Sequence, residues 1–82
     1  MYEYTSEEIE IINQFHGRCI LCKRKWFAIH EMETRGAVGK QAMQRENRVT
    51  LCQEHHNWVH TVGSLIANPI LILYRDRVLE ND

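Results

Sequence analysis

Seven side chains that can ligate a metal sort by spacing into two sets. Cys19-Ile20-Leu21-Cys22 is one half-site, and Cys52-Gln53-Glu54-His55 is a second with the same two-residue gap. Two such knuckles, about thirty residues apart, can close one tetrahedral zinc site through Cys19, Cys22, Cys52 and His55. His30, His56 and His60 remain. His56 and His60 are four residues apart, so on a helix they share a face and can hold one ion together. With His30 they supply three ligands from two elements. That number suits a metal with an open coordination position, whereas a structural site is closed. A half-buried histidine at a strand end would otherwise need no metal to account for it. His60 alone could simply favour the C-terminal end of a helix dipole.

The elements that must carry these residues can be read along the chain. Thr5-Ser6-Glu7-Glu8 is a capping box opening a short helix with Ile9, Ile12 and Phe15 on its apolar stripe, ended near Gly17. Trp26 to Glu31 is aromatic and β-branched, as in a strand. Gly36 and Gly39 mark a loop from about Thr34 to Glu46, and Arg48 to Leu51 forms a second strand entering the second knuckle. Gln53 to about Val62 reads as a helix bearing His56 and His60. Asn68-Pro69 reads as an N-cap followed by the first residue of a last helix, with Ile70, Leu73, Tyr74 and Val78 on one face. The β-branched run from Ile70 to Leu73 leaves a strand open there. Trp26, Phe27 and Trp58 are expected in the core of so small a chain, and Arg75 and Arg77 on a solvated face.

Composition bounds the rest. A chain of 82 residues is one domain, 1–82, with its motif core at about 19–60, and a thin core of this kind commonly needs a staple. Three cysteines cannot all pair within one chain, so zinc with reduced thiolates is the better account and a reducing compartment is expected. The acidic N-terminus lacks the apolar run of a signal peptide, and Ile70 to Leu73 is too short to span a membrane. A cytoplasmic location is expected, in the host cell if the chain is phage-encoded. The net charge of -1 conceals an asymmetry. Between His16 and Arg48 lie eight cationic residues, Arg18, Lys23, Arg24, Lys25, Arg35, Lys40, Arg45 and Arg48, against Glu31, Glu33 and Glu46. A basic middle beside a metal site fits a polyanionic substrate; the plainer account is a solvated charged surface.

A strand ending in His, a loop, a second strand and a helix with two His read as a ββα-metal unit. The order His30…Asn47…His56 resembles the HNH endonucleases, most closely small phage and prophage proteins with a zinc knuckle around the nuclease motif. The resemblance covers roughly Cys19 to His60. It implies an α+β, zinc-stapled ββα-metal (His-Me finger) domain with an N-terminal and a C-terminal helix. It also implies metal-dependent hydrolysis of DNA phosphodiesters, by nicking or double-strand cutting. Carried over by position, His30, His56 and His60 hold the catalytic metal. Asn47 orients the site by hydrogen bonds, Arg35 holds the phosphate, and Glu31 stands where the family's histidine base would be. Cys19, Cys22, Cys52 and His55 hold structural Zn²⁺, with His55 where the family usually has Cys. The catalytic ion would be Mg²⁺, Mn²⁺, Ni²⁺ or Zn²⁺. Arg18, Lys23, Arg24, Lys25, Lys40, Arg45 and Arg48 would meet the nucleic-acid backbone. DNA is the expected partner, and phage packaging or host proteins are further candidates.

Glu31 departs from that pattern. An imidazole titrates near neutrality unaided, whereas a carboxylate does not. Three readings stay open: Glu31 is an unusual base; the register shifts by one, so Glu31 binds metal and His30 is the base; or the site is silent. The alternative function is accordingly an inactive zinc module on the same scaffold, binding DNA or inhibiting a protein partner. A zinc-finger transcription factor fits less well, because the helix after the second knuckle spends positions on His56 and His60 where base-reading side chains would stand.

Overall fold

The computed structural model describes residues 3–33, 36, 39 and 45–81, with only the backbone described at 45 and 81. These form a small α+β unit. Helix α1 (Ser6–Gln14) leads through a knuckle to strand β1 (Ala28–Glu31). A 3-10 turn (Arg45–Asn47) opens strand β2 (Arg48–Leu51), and helices α2 (Gln53–Val62) and α3 (Ser64–Asn81) follow. The strands are antiparallel, with Ala28 opposite Leu51, Ile29 opposite Thr50, His30 opposite Val49 and Glu31 opposite Arg48. Among the described residues no helix is long and apolar enough to cross a membrane.

The capping box at α1 forms as expected. The Glu8 N–H donates to Thr5 Oγ1 at 3.1 Å, and the Thr5 N–H donates to Glu8 Oε1 at 2.9 Å. The buried stripe, however, is Glu8, Ile11 and Phe15, and Ile9 is 48% exposed. A carboxylate can take an inward position here because Arg48, itself only 6% exposed, donates from Nη2 to Glu8 Oε2 at 3.3 Å. Helix α1 ends in a Schellman motif. The Gly17 N–H reaches the Ile12 carbonyl at 2.8 Å and the His16 N–H reaches that of Asn13 at 3.0 Å. His16 and Gly17 are both left-handed there, at φ 58° and 66°.

The knuckle closes on itself. The Cys19 N–H donates to the Arg24 carbonyl at 2.7 Å, and Arg18 bridges Lys25. Strand β1 starts two residues later than the sequence suggests. Trp26 turns aside, its N–H bonded to the Gly17 carbonyl and its indole set edge-on to Tyr4 at 5.5 Å.

The last helix also differs from expectation. It begins at Ser64, directly after Gly63 (φ 85°), and runs through Pro69. Proline deprives the Leu65 carbonyl of its helical donor. That cost is small where water can replace it, and Leu65 is 93% exposed. Asn68 is therefore no cap. Its Nδ2 donates to the Met32 carbonyl at 2.9 Å and ties α3 to the end of β1. The inward line is Ala67, Leu71, Tyr74 and Val78, while Ile70 and Leu73 face outward. Arg75 is not a solvated tail residue, since it donates to the Glu46 carbonyl. Ile11, Ile20, Val49, Leu51 and Leu71 are fully buried and join α1, the knuckle, the ribbon and α3 in one core.

Candidate metal centres

Both ligand sets converge. Cys19, Cys22, Cys52 and His55 bring one ligand atom each within 4.8 Å of one another, and so do His30, His56 and His60. In the first cluster Cys19 Sγ is 3.6 Å and Cys52 Sγ 3.3 Å from His55 Nδ1, and Cys22 Sγ is 3.6 Å from Cys52 Sγ. Zinc at about 2.3 Å from sulfur and about 2.0 Å from nitrogen sets tetrahedral edges of roughly 3.5 to 3.8 Å. The cluster has nearly that size, so it could bind a metal such as zinc. All three cysteines are free thiols. Burial raises the Cys19 thiol, but backbone N–H groups of Cys52, Cys22 and Leu21 outweigh it and leave its pKa below the ordinary value. The Cys22 thiol is raised, first by desolvation and then by the neighbouring Cys52 and Cys19 sulfurs.

The local folding that makes this cluster is simple. Cys52 is the N-cap of α2, its sulfur accepting the His55 N–H at 3.5 Å, so cap and ligand are the same residue. The opposing Cys19 and Cys22 lie in the tight turn that the Lys23 N–H closes on the Cys19 carbonyl at 3.0 Å. Lys23 holds a left-handed φ of 66° to complete it.

The second cluster is built by β1 and α2. His30 leaves the ribbon on its α2 side. Its ring centre lies 5.7 Å from that of His56 and 5.9 Å from that of His60. His56 Nε2 and His60 Nε2 are 3.4 Å apart. An ion about 2.0 to 2.1 Å from each nitrogen would set an edge of roughly 3.3 Å, so the pair is spaced for a shared metal. His30 is pushed down to a pKa of about 4, first by burial and then by the neighbouring His56 and His60. His56 is lowered by burial and by His60. Only the neutral ring can ligate, and both rings are biased toward it. By donor type and spacing the three imidazoles fit a borderline transition metal.

Asn47 braces this corner from behind. The Glu33 N–H donates to Asn47 Oδ1 at 2.8 Å, Asn47 Nδ2 donates to the Glu33 carbonyl at 2.9 Å, and the Met32 N–H meets the Asn47 carbonyl at 2.8 Å. One side chain thus fastens the chain leaving β1 to the chain entering β2.

The other expected site residues are distributed unevenly. Glu31 follows His30 in a strand, so the pleat sends it to the opposite face, beside Arg48 on the α1 side. Among the described residues the ligand atoms gathered at this point are those of the three imidazoles, and the Glu31 carboxylate is not one of them. Arg48 is corrected outright, because it is buried and paired with Glu8 and cannot meet a phosphate backbone. Arg18, Lys23, Arg24 and Lys25 are exposed on the knuckle. There Arg18 Nη1 donates to the Lys23 carbonyl at 3.0 Å, and Arg24 pairs with Glu54 at 2.9 Å. Both side chains of the Arg24–Glu54 pair are largely exposed, so it is worth little. Arg35, Lys40 and the side chain of Arg45 lie outside the described residues.

One neighbour of the imidazoles was assigned to the core by residue type. Phe27 is 55% exposed, with its ring 6.2 Å from that of His56. Its place just before the strand, where the chain is still turning out of the knuckle, was the available hint. No family model, no curated protein and no solved structure was found to match this chain.

Proposed function

We propose that this chain is a metal-dependent DNA endonuclease of the HNH type, built on a ββα-metal unit formed by β1, β2 and α2. The observation that carries the reading is the three-imidazole cluster. His30 from a strand meets His56 and His60 from the helix that follows β2, with ligand atoms within 4.8 Å of one another; three such ligands would leave a tetrahedral ion one position for substrate. Asn47, fastened to Glu33 behind that strand, supports the same reading.

In this proposal His30, His56 and His60 hold the divalent ion, and Cys19, Cys22, Cys52 and His55 hold a structural zinc. The catalytic ion would supply Lewis acidity toward a phosphate oxygen and the leaving oxygen. The chain's own residues do the rest. Asn47 keeps the end of β1 from moving, so His30 meets the helix ligands without reorganisation. The exposed cations Arg18, Lys23, Arg24 and Lys25 attract the polyanion.

The placement of Glu31 favours one second reading. Among the described residues no carboxylate joins the ligand atoms gathered at the three imidazoles, and the strand alternation directs Glu31 away from His30. A silent module that binds metal and DNA, or a protein partner, is then the alternative. Plasmid nicking in Mg²⁺, Mn²⁺, Ni²⁺ and Zn²⁺, set beside His56→Ala, decides between them. Relaxed circles with the wild type and none with the variant are expected. Intact supercoiled plasmid in every metal would leave the silent module standing.

A further inference from the structure

Phe27 presents a half-exposed aromatic ring at the edge of the three-imidazole cluster. Its ring plane is tilted 52° to that of His56 at a centroid distance of 6.2 Å. The ring is not on a loose segment, because the Phe27 N–H is bonded to the Leu51 carbonyl at 2.8 Å. The neighbouring aromatics are committed elsewhere. Trp26 packs on Tyr4, Trp58 stands edge-on to His55 at the core margin, and Phe15 is buried.

The surroundings of Phe27 say what it meets. The exposed cations Lys23, Arg24 and Lys25 precede it on the knuckle with Trp26 between, Arg24 being paired with exposed Glu54, and the His56 imidazole lies beside it. Protein interfaces exclude lysine from their apolar centres and gather several large side chains there. Here, among the described residues, the large exposed aliphatics other than Ile9 of α1, including Leu65, Ile66, Ile72 and Leu73, are on α3. An exposed aromatic face on a segment that also carries exposed cations is an arrangement by which proteins hold single-stranded nucleic acid. The bases stack on the ring, and the cations track the phosphates.

We propose that Phe27 is a stacking residue for a nucleobase adjoining the phosphate that approaches His30, His56 and His60. The preferred substrate is then a nucleic-acid strand with accessible bases, single-stranded or frayed, in contrast to a closed duplex. This inference rests on the nucleic-acid reading above and narrows its substrate class.

Equilibrium binding tests it without requiring cleavage. Fluorescence anisotropy would compare a labelled single-stranded oligodeoxynucleotide with an abasic oligomer of equal length, which keeps every phosphate and lacks the bases. The protein would be wild type, Phe27→Ala and Phe27→Tyr, with equal thermal melts as the check on folding. Phe27→Ala should weaken binding to the normal strand roughly 5- to 150-fold, the range for one base–aromatic stack. It should leave the abasic oligomer unaffected, and Phe27→Tyr should restore wild-type affinity. Equal losses on both oligomers, or no loss on either, would overturn the proposal. The second result would return Phe27 to a protein contact. If the plasmid stays intact in every metal while the base-dependent loss persists, hydrolysis fails and the stacking role stands. Nicking without the base-dependent loss has the reverse meaning.

Discussion

Removing the Glu8 carboxylate should cost this fold a large part of its stability. Glu8 is 8% and Arg48 6% exposed, and their Oε2–Nη2 contact is 3.3 Å. Glu8→Ala would leave the buried guanidinium without the carboxylate it is bonded to, at about 3–5 kcal/mol, or less where Glu31, opposite Arg48 across the strands, takes over. The same change removes the arm of the capping box that Glu8 Oε1 extends to Thr5, adding about 0.5–1 kcal/mol. At roughly 0.05–0.15 kcal/mol per residue, a chain of 82 residues is stable by about 4–12 kcal/mol. The variant should therefore range from badly weakened to largely unfolded. Glu8→Gln keeps the cap and loses the charge, and should fall between. Glu8→Met combined with Arg48→Met removes both charges and should recover most of the loss. Urea melts in zinc-containing buffer, followed by far-ultraviolet circular dichroism, read these differences. With a slope of about 1 kcal/mol per molar urea, the Glu8→Ala midpoint should drop by about 3 M or more. A drop under 1 M would show that the pair contributes little and that Arg48 finds water in the native state.

Three further outcomes are expected. Metal analysis should find one tightly held zinc, and Cys22→Ser should abolish cooperative melting, because binding at such a cluster is folding energy; a metal-free protein that still melts cooperatively would refute this. With the second cluster free of metal, the His30 ring should titrate near pH 4 by NMR. Between pH 6.5 and about 4 the unfolded chain takes up a proton that the folded chain refuses. Stability should thus be complete above pH 6.5 and fall as the pH is lowered toward about 4; a midpoint at 6.5 or above would contradict the burial of that ring. Glu31→Gln should leave the affinity of the three-imidazole cluster for Ni²⁺ or Zn²⁺ within about twofold of wild type, because the carboxylate leaves from the other face of the ribbon. A tenfold loss by calorimetry would restore Glu31 as a ligand.

Local signals in the sequence were read well, and signals joining distant residues were not. The capping box at Thr5 and Glu8 and the ligand spacings are short-range patterns with steep chemical requirements, and both appear in the structure. The start of α3 was misplaced because Asn-Pro is a strong local cue. Whether a helix tolerates an interior proline depends on solvent at Leu65 and on the Asn68 bond to Met32, and neither is a local property. The Glu8–Arg48 pair spans forty residues and turns an expected surface cation into a core element. For Glu31 the strand pattern itself carries the alternation that separates it from His30, whereas a role as base or ligand comes from positional resemblance to a family. Phe27 was assigned by residue type, and only its contact with His56 shows that it faces outward.

His55 and His56 are consecutive in α2, one turned to the sulfur-bearing cluster and the other to the imidazoles. If both clusters take ions as proposed, that adjacency would order their loading. The helix begins at Cys52, whose sulfur is both its cap and a candidate ligand, so an ion in the thiolate cluster would lock where the helix starts and how it is rotated. His56 and His60, on the same helix, would thereby be held toward His30. Loss of the first ion should then weaken the second cluster as well, and zinc supply would act upstream of whatever ion that cluster could take.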